Sequence, residues 1–314
     1  MLTLPTKLDS TNHNRNFDQG VFCDWIEASL LLSSEGSISK TDINDLLIEN
    51  LIFNEESTDE LTSSTPQDKA ALVIDEAWDH IKRRVKNLGI SSGIDLTDDL
   101  LVRNANSALA HRFLLALTCK AIYPEWGRIW DTNASEYGEL FEQVSEVAVA
   151  QLLQGWKVQR LGWGRSNTTP LRTDVDQLTI DLREPQGSEV DLLITSYTKD
   201  MGLDIVAYRP FGDHLAALPI LFFQCASGQN WQTKLSTPNL HRWGKVISFT
   251  SQPKKALTLP FAFLDAQQFR KDTMDLDGIV LERYRLLQGL NNLDQELSTS
   301  LENWLAKVST TLPT

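Results

Sequence analysis

The stretch LPILFFQCASGQNWQTK, residues 218–234, says most about the fold of this chain. Its first half is a nearly continuous apolar run, which predicts a central β-strand that is covered on both faces. The run ends in a polar residue at Gln224, and a glycine-containing loop follows. A buried strand that ends in polar side chains has to satisfy them, and a metal site is one way to do so.

The segments around this strand predict a sheet flanked by helices. EYGELFEQVSEVAVAQLLQGW, residues 136–156, carries apolar residues at helical spacing and predicts an amphipathic helix that Gly155 ends. Short β-prone runs occupy 156–163, 177–182, 190–197, 203–208, 218–226 and 245–251. The last segments predict a closing helix or strand–helix pair at 278–287 and an amphipathic helix at 293–312. This order predicts an α/β domain with a mixed sheet rather than a regular Rossmann repeat.

The first 135 residues predict an all-helical domain. Apolar residues recur at helical spacing in four segments, 22–32, 39–53, 70–88 and 99–122. A polar connector without periodicity lies at 54–69. The triplet Lys82-Arg83-Arg84 falls in the basic end of the third helix, where it either complements the helix dipole, which is the preferred interpretation, or contacts nucleic acid. We therefore expect three parts, a helical domain at 1–135, an α/β domain at 136–288 and a C-terminal helix at 289–314.

Composition is that of a globular protein, with 41% hydrophobic and 23% charged residues. No apolar run approaches the roughly 20 residues that span a bilayer, and the N-terminus has no secretory signal. The three cysteines are scattered, which favours a reducing compartment. We expect a cytoplasmic protein with no membrane partner. Phosphate-binding, nucleophile-elbow and dinucleotide-binding motifs are absent from the sequence, which removes three common enzyme classes.

Charge is distributed unevenly along the chain. The net charge of −13 argues against a protein that coats nucleic acid without specificity. Residues 1–135 carry 12 basic and 21 acidic side chains. Residues 199–260, in contrast, carry seven basic side chains and three acidic ones. That segment predicts either a small phosphate-facing patch or chance clustering on a solvated face.

Three segments could supply the groups for metal-assisted phosphodiester hydrolysis. That chemistry needs acidic oxygens around Mg²⁺ and a cation near the reacting phosphate. Glu139, Glu142 and Glu146 lie on roughly one face of the helix at 136–154. Asp204 and Gln224 are 20 residues apart, as expected for adjacent hairpin strands that present both side chains at one edge of a sheet.

Other residues in these segments have simpler interpretations. The helix carboxylates also fit a solvated face, and Asp204 also fits a turn cap. Trp231 either stacks on a base or packs in the core. Asp174 and Asp176 form an acidic pair that an exposed turn explains. Cys225 is expected to be buried beside the strand end rather than nucleophilic, because no histidine has a motif relation to it.

Three motifs in order resemble those of the PD-(D/E)xK nuclease superfamily, which includes restriction endonucleases, Mrr-like enzymes and antiphage defence effectors. They are GELFE at 138–142, GLD at 202–204 and QCASGQNWQTK at 224–234. The resemblance covers about half of the chain. It implies a restriction-endonuclease-like sheet and a Mg²⁺- or Mn²⁺-dependent deoxyribonuclease. Glu142, Asp204 and Gln224 would then hold the metal.

The chain departs from that pattern at Ala226, where the superfamily carries a lysine. Lys234 is the preferred replacement, and Lys245 is the second candidate. If neither reaches the metal, the alternative is a catalytically degenerate nuclease-fold protein that binds nucleic acid or protein within a defence complex. A protein-binding adaptor that acts through the helical domain is a further alternative. The candidate partners are DNA, other subunits of a defence complex and a second copy of the chain.

Overall fold

The computed structural model describes residues 1–5, 8, 18–50, 52, 65–104, 109–123, 134–161, 171–195, 198 and 200–311. The chain forms two compact units. Unit 1 comprises Met1–Thr132 with Leu301–Thr314, and unit 2 comprises Asn133–Ser300. Within the described ranges, no helix combines the length and the apolar character that crossing a membrane requires.

Unit 1 combines helices with a small sheet. Its elements are α1 (Gln19–Leu32), β1 (Ser37–Ser39), α2 (Lys40–Glu49), α3 (Pro66–Leu88), β2 (Ile94–Leu96), β3 (Leu100–Arg103) and α4 (Leu109–Ile122). The last helix of the chain, α11 (Gln295–Ser309), confirms the predicted C-terminal helix. A capping box of Thr65 and Asp68 begins α3, and Gly89, with a φ of +55°, ends it. Most of the predicted polar connector at 54–69, namely residues 54–64, lies outside the described residues.

The prediction of an all-helical first domain is wrong. Three antiparallel strands in the order β1-β3-β2 form a sheet in unit 1. Each strand has only three or four residues, too few for an alternating pattern to be visible in the sequence. Strand β3 lies inside the segment 99–122 that was predicted to be one helix. Its apolar residues Leu100, Leu101 and Val102 fit the start of a helix in the sequence, but α4 begins only at Leu109.

A set of charged side chains is buried between α1, α3 and α4, and we call it the unit 1 charge cluster. The Arg84 guanidinium lies 3.0 Å from the Glu27 carboxylate and 3.6 Å from that of Asp24. His111 Nε2 lies 3.6 Å from Glu27, while His111 Nδ1 is 2.8 Å from the Ser92 carbonyl oxygen. Arg84 is thus an interior residue whose guanidinium pairs with two carboxylates of α1.

Unit 2 is built on a five-stranded mixed sheet in the order β4-β5-β6-β7-β8. The strands are β4 (Lys157–Arg160), β5 (Ile205–Tyr208), β6 (Ile220–Cys225), β7 (Lys254–Thr258) and β8 (Gly278–Leu281). Strand β5 is antiparallel to both β4 and β6, whereas β7 is parallel to β6 and β8 is parallel to β7. The first five residues of β6 are buried, which confirms the predicted central strand.

Helices cover both faces of this sheet. They are α5 (Ala134–Leu152), α6 (Leu171–Leu182), α7 (Val190–Leu193), α8 (Leu240–Val246), α9 (Ala266–Leu276) and α10 (Arg283–Gln288). Side chains alternate along β6, so that Phe222 packs with residues of α6 and α8 while Phe223 packs with Val149 of α5. The predicted helix at 136–154 and the strand–helix pair at 278–287 are confirmed by α5, β8 and α10.

Three predicted strands of unit 2 are wrong. Residues 177–182 belong to α6, since Val175, Leu178 and Leu182 are buried at the spacing of a helix. The segment 190–197 begins as the short helix α7, and its residues 196–197 lie outside the described residues. The start of 245–251 completes α8, and the strand parallel to β6 is instead β7. Short apolar runs fit either structure, so periodicity alone could not decide them.

Candidate functional site

Unit 2 contains a cleft of about 520 Å³ beside the end of β6. Four segments line it, namely the first half of α5, residues 200–204 before β5, residues 224–227 at the end of β6, and residues 234–242. The lining residues are Gly138, Phe141, Glu142, Asp200, Met201, Gly202, Asp204, Gln224, Cys225, Ser227, Lys234, Thr237, Asn239 and Arg242. The four site residues singled out from the sequence, Glu142, Asp204, Gln224 and Lys234, are all among them.

Asp204 and Gln224 are held together by the pairing of β5 with β6. Asp204 immediately precedes β5, and Gln224 is the fifth residue of β6, its antiparallel neighbour. Gln224 Nε2 donates a hydrogen bond to Oδ2 of Asp204. The backbone N–H of Cys225 donates to the same oxygen at 2.6 Å. Two neutral donors therefore fix the orientation of this carboxyl group at the edge of the cleft.

The Asp204 carboxyl group has an unusual protonation equilibrium. Only 3% of the residue is exposed. Burial, the largest cause, and the nearby Asp200 raise its pKa, while the Cys225 N–H, the Lys234 charge and the Gln224 amide lower it, and together they place the pKa at about 7. The buried carboxylate is therefore costly in the protein alone, and a bound cation would stabilise it.

The side-chain oxygen of Gln224 is a second acceptor in the cleft. Gln224 is 6% exposed, and its Oε1 accepts no hydrogen bond from any described residue. A Cβ at position 202 would lie 3.3 Å from this oxygen, and Gly202 has a φ of +74°, a conformation that favours glycine. The backbone before Asp204 thus leaves room for the amide oxygen. A buried acceptor without a donor is the kind of group that a cation ligand satisfies.

The structure separates the three candidate carboxylates of α5. Glu142 is buried and lines the cleft. Glu146 accepts a hydrogen bond from the Arg160 backbone N–H at 3.2 Å and lies 3.5 Å from the Arg160 side chain. Glu139 accepts a hydrogen bond from the Gln143 side chain at 3.4 Å. Of the three, Glu142 is the one that lines the cleft.

The two candidate lysines are also separated. Lys234 belongs to the 3-10 turn Trp231–Ser236, is exposed, and lies close enough for its charge to lower the pKa of Asp204. Lys245 instead forms an ion pair with Glu189 at 3.3 Å. Lys234 lines the cleft, and Lys245 does not.

Ala226, which replaces the expected lysine, is buried in an apolar cluster. Its neighbours there include Trp231, Leu257 and Leu259. A lysine at position 226 would have to place its ammonium group in this cluster, at a large desolvation cost. Trp231 is 8% exposed, and its ring packs against Phe263 at 5.6 Å. The structure therefore favours packing for Trp231 over stacking on a base.

Two charged residues of the cleft were not predicted as site residues from the sequence. Asp200 and Arg242 line the cleft together with the predicted residues. Asp200 could have been found from the segment DMGLD, in which it lies four residues before Asp204. Asp174 and Asp176, expected in an exposed turn, instead belong to α6, where Asp176 accepts a hydrogen bond from Arg172 at 2.9 Å.

Cys225 lines the cleft without the properties of a nucleophile. Burial raises the pKa of its thiol well above the usual value, and the carboxyl groups of Asp204 and Glu142 raise it further. The thiolate is therefore scarce at neutral pH.

The oxygens of the cleft suit a hard divalent cation. Carboxylate and amide oxygens are the ligands that Mg²⁺ and Mn²⁺ prefer. The carboxyl groups of Glu142 and Asp204 and the vacant acceptor of Gln224 supply them. Within the described ranges, no group of three or more His, Cys, Asp or Glu side chains is arranged to hold a metal ion. An ion here would therefore need the amide oxygen of Gln224 in addition to carboxylates.

Comparisons with known proteins leave the function to be argued from this cleft. No family model, no curated protein and no solved structure matches the chain.

Proposed function

We propose that this protein is a metal-dependent endonuclease of the PD-(D/E)xK type that hydrolyses phosphodiester bonds of DNA. One observation carries the proposal: Glu142, Asp204, Gln224 and Lys234, which come from four separate segments, line the same cleft. The order of elements in unit 2 supports it as well. A helix, strands that pair antiparallel, a further helix and a parallel strand are consistent with a restriction-endonuclease-like sheet.

Glu142, Asp204 and the Oε1 atom of Gln224 would hold Mg²⁺ or Mn²⁺. When bound, such an ion neutralises phosphate charge and makes bound water a better nucleophile. Gln224 has a second task, because its Nε2 fixes the Asp204 carboxyl group while its Oε1 stays available. An amide can donate and accept at once, whereas a carboxylate at this position could only accept.

Lys234 supplies the positive charge that the reaction needs. Its ammonium group lies near Asp204 but forms no ion pair with the described residues, so it remains available to a ligand. A cation held at the cleft stabilises the negative charge that develops on the phosphate during attack. It can also orient the attacking water through its N–H donors.

The acidic character of the chain favours action beside a partner. A net charge of −13 opposes binding to a polyanion except where basic residues cluster. We propose that the protein works on DNA together with other subunits, as in antiphage defence or restriction. A second candidate function, a binding-only component with a degenerate nuclease fold, is favoured by Ala226 at the usual lysine position.

Cleavage of plasmid and single-stranded DNA with Mg²⁺ or Mn²⁺ tests the proposal. We expect Asp204→Ala and Lys234→Ala each to lower cleavage on the order of a hundredfold or more, since each removes a group that acts on the reacting phosphate. Lys245→Ala is the matched control, because that lysine is paired with Glu189 and does not line the cleft.

Each other outcome has a definite meaning. Loss with Lys245→Ala but not with Lys234→Ala would move the catalytic cation to Lys245, in the last turn of α8. Cleavage that survives Asp204→Ala would contradict the assigned site. If the native protein cuts neither substrate, alone or with co-purifying partners, the binding-only function replaces the nuclease.

A further inference from the structure

Among the described basic residues of the segment 199–260, two have side chains that the contacts of unit 2 leave available to a ligand. Lys199 lies outside the described residues. Four other basic side chains are engaged elsewhere, Arg209 with the Gln154 carbonyl (2.7 Å), Lys245 with Glu189 (3.3 Å), Lys254 with Asp277 (3.5 Å) and Lys255 with the Leu235 carbonyl (2.9 Å). The remaining two are Lys234 and Arg242, and both line the cleft. Of the basic patch predicted from charge, the described structure thus places two cations, Lys234 and Arg242, at one cleft.

Arg242 is well placed for binding an anion. It is the third residue of α8, and its backbone N–H donates to Oδ1 of the capping residue Asn239 at 2.9 Å. Its side chain is exposed, and in the described part of the chain it forms no ion pair. It remains without one although Asp200, Asp204 and Glu142 line the same cleft. A guanidinium group offers five donors in a plane that matches the oxygens of a phosphate.

We propose that Arg242 is a substrate-binding residue that holds the phosphate next to the one at Lys234. This inference rests on the proposed function and assigns a division of labour within it. Lys234 lies beside the Asp204 carboxyl group and acts at the phosphate that reacts. Arg242, which lines the same cleft and lies eight residues further along the chain, binds the neighbouring phosphate and fixes the strand in the cleft. The backbone of a nucleic-acid strand supplies such neighbouring phosphates.

Binding of a labelled, short single-stranded DNA tests this role without any cleavage. The full-length protein is titrated in EDTA, and again with Ca²⁺, which takes the same oxygen ligands as Mg²⁺. We expect Arg242→Gln to weaken binding about tenfold, which corresponds to about 1.4 kcal/mol. The slope of log affinity against log salt concentration should fall by about 0.7, the value for one phosphate contact on a single strand.

Two variants serve as controls for charge and geometry. Arg270→Gln removes the same charge from an exposed position of α9 that does not line the cleft, and we expect native affinity and slope. Arg242→Lys keeps the charge but loses the planar donors. It should keep the native salt slope and recover only part of the affinity.

The outcomes separate this inference from the proposed nuclease. Equal affinity and slope for the native protein and Arg242→Gln, or no binding by the native protein in either condition, would overturn the role of Arg242. A protein that binds through Arg242 and never cuts keeps the role and removes the nuclease. Where cleavage occurs, Arg242→Gln should raise KM with little change in kcat, whereas Lys234→Ala should lower kcat. A variant Arg242→Gln with native KM would contradict the inference.

Discussion

The two units both bury carboxyl groups, but they neutralise them differently. In the unit 1 charge cluster, Asp24 and Glu27 lie within 3.6 Å of the Arg84 guanidinium, and all three side chains are at most 11% exposed. In the cleft of unit 2, Asp204 is buried as deeply, but among the described residues its donors are an amide and a backbone N–H. Lys234, whose charge acts on it, is exposed and forms no ion pair with it.

This difference distinguishes a buried carboxyl group that stabilises the fold from one that is available to a ligand. A carboxylate that meets a buried guanidinium has its charge balanced inside the fold and has little to offer a ligand. A carboxyl group that meets only neutral donors keeps a raised pKa and gains from a cation that arrives from outside. Burial is common to both, so the partners of the carboxyl group carry the information.

The largest effect on stability is expected from Arg84→Ala. It removes the cation between Asp24 and Glu27 and leaves two buried carboxylates without it, which costs about 3–5 kcal/mol of unfolding free energy. Lys82→Ala, on the same helix, is the matched control, because Lys82 and its partner Asp98 are 57% and 94% exposed. That change should cost less than about 1 kcal/mol. Urea unfolding measures both, and equal costs would contradict the structural role of the cluster.

Asp204→Asn should have the opposite effect on stability. With the pKa of Asp204 at about 7 in the folded protein and 3.8 in the unfolded chain, the folded state holds the extra proton between these values. Stability therefore falls as pH rises from about 4 to about 7, by up to about 4 kcal/mol, and stays low above that. Asparagine carries no charge, and its Oδ1 can accept both hydrogen bonds that Oδ2 accepts in the native protein.

Unfolding in EDTA at pH 5 and pH 8 measures this difference. We expect Asp204→Asn to be more stable than the native protein at pH 8, with a smaller difference at pH 5. Other titrating groups are common to both proteins and cancel. Hydrogen exchange of residues 203–226 reports the same change locally. A variant that is less stable than the native protein at pH 8 would show that the carboxylate of Asp204 is balanced in the fold, and the contrast with unit 1 would fail.

Local pattern made part of the cleft predictable. Asp204 and Gln224 could be paired because a hairpin fixes its register over a short span, and the apolar run of β6 identified a central strand. The face of α5 that carries Glu142 follows from helical periodicity. That face also holds Glu146, and only its pairing with Arg160 in β4 distinguishes the two.

Long-range pairing accounts for what the sequence could not predict. Arg84 and Glu27 are 57 positions apart, so no local pattern reveals that the arginine is interior. The strands of unit 1 are short, and only their mutual hydrogen bonds make them a sheet. Residues 177–182 fit either period, and packing against β6 decides for a helix. Arg242 could be proposed as a ligand-binding residue only after the contacts of the other basic residues were known.

The smallest effect on stability is expected from Glu146→Gln. Within α5, Glu146 and Glu142 show the same contrast between a carboxylate paired in the fold and one that lines the cleft. Glu146 is paired with Arg160, and their side chains are 32% and 20% exposed. Loss of such a partly exposed pair costs about 0–1 kcal/mol, and metal-dependent cleavage should stay at the native rate because Glu146 does not line the cleft. Glu142→Gln, one turn earlier, should lower cleavage on the order of a hundredfold.

Each of these two variants removes one negative charge, and the two positions lie one helical turn apart, so the comparison depends on position alone. Measuring cleavage and urea unfolding on both separates a carboxylate that serves the fold from one that serves a ligand. If Glu146→Gln abolishes cleavage while Glu142→Gln leaves it intact, the helix presents Glu146 to the metal and the ion pair with Arg160 must open for it. An existing cationic partner would then no longer mark a carboxylate as structural, and the distinction drawn from Asp204 and Glu27 would have to rest on burial geometry instead.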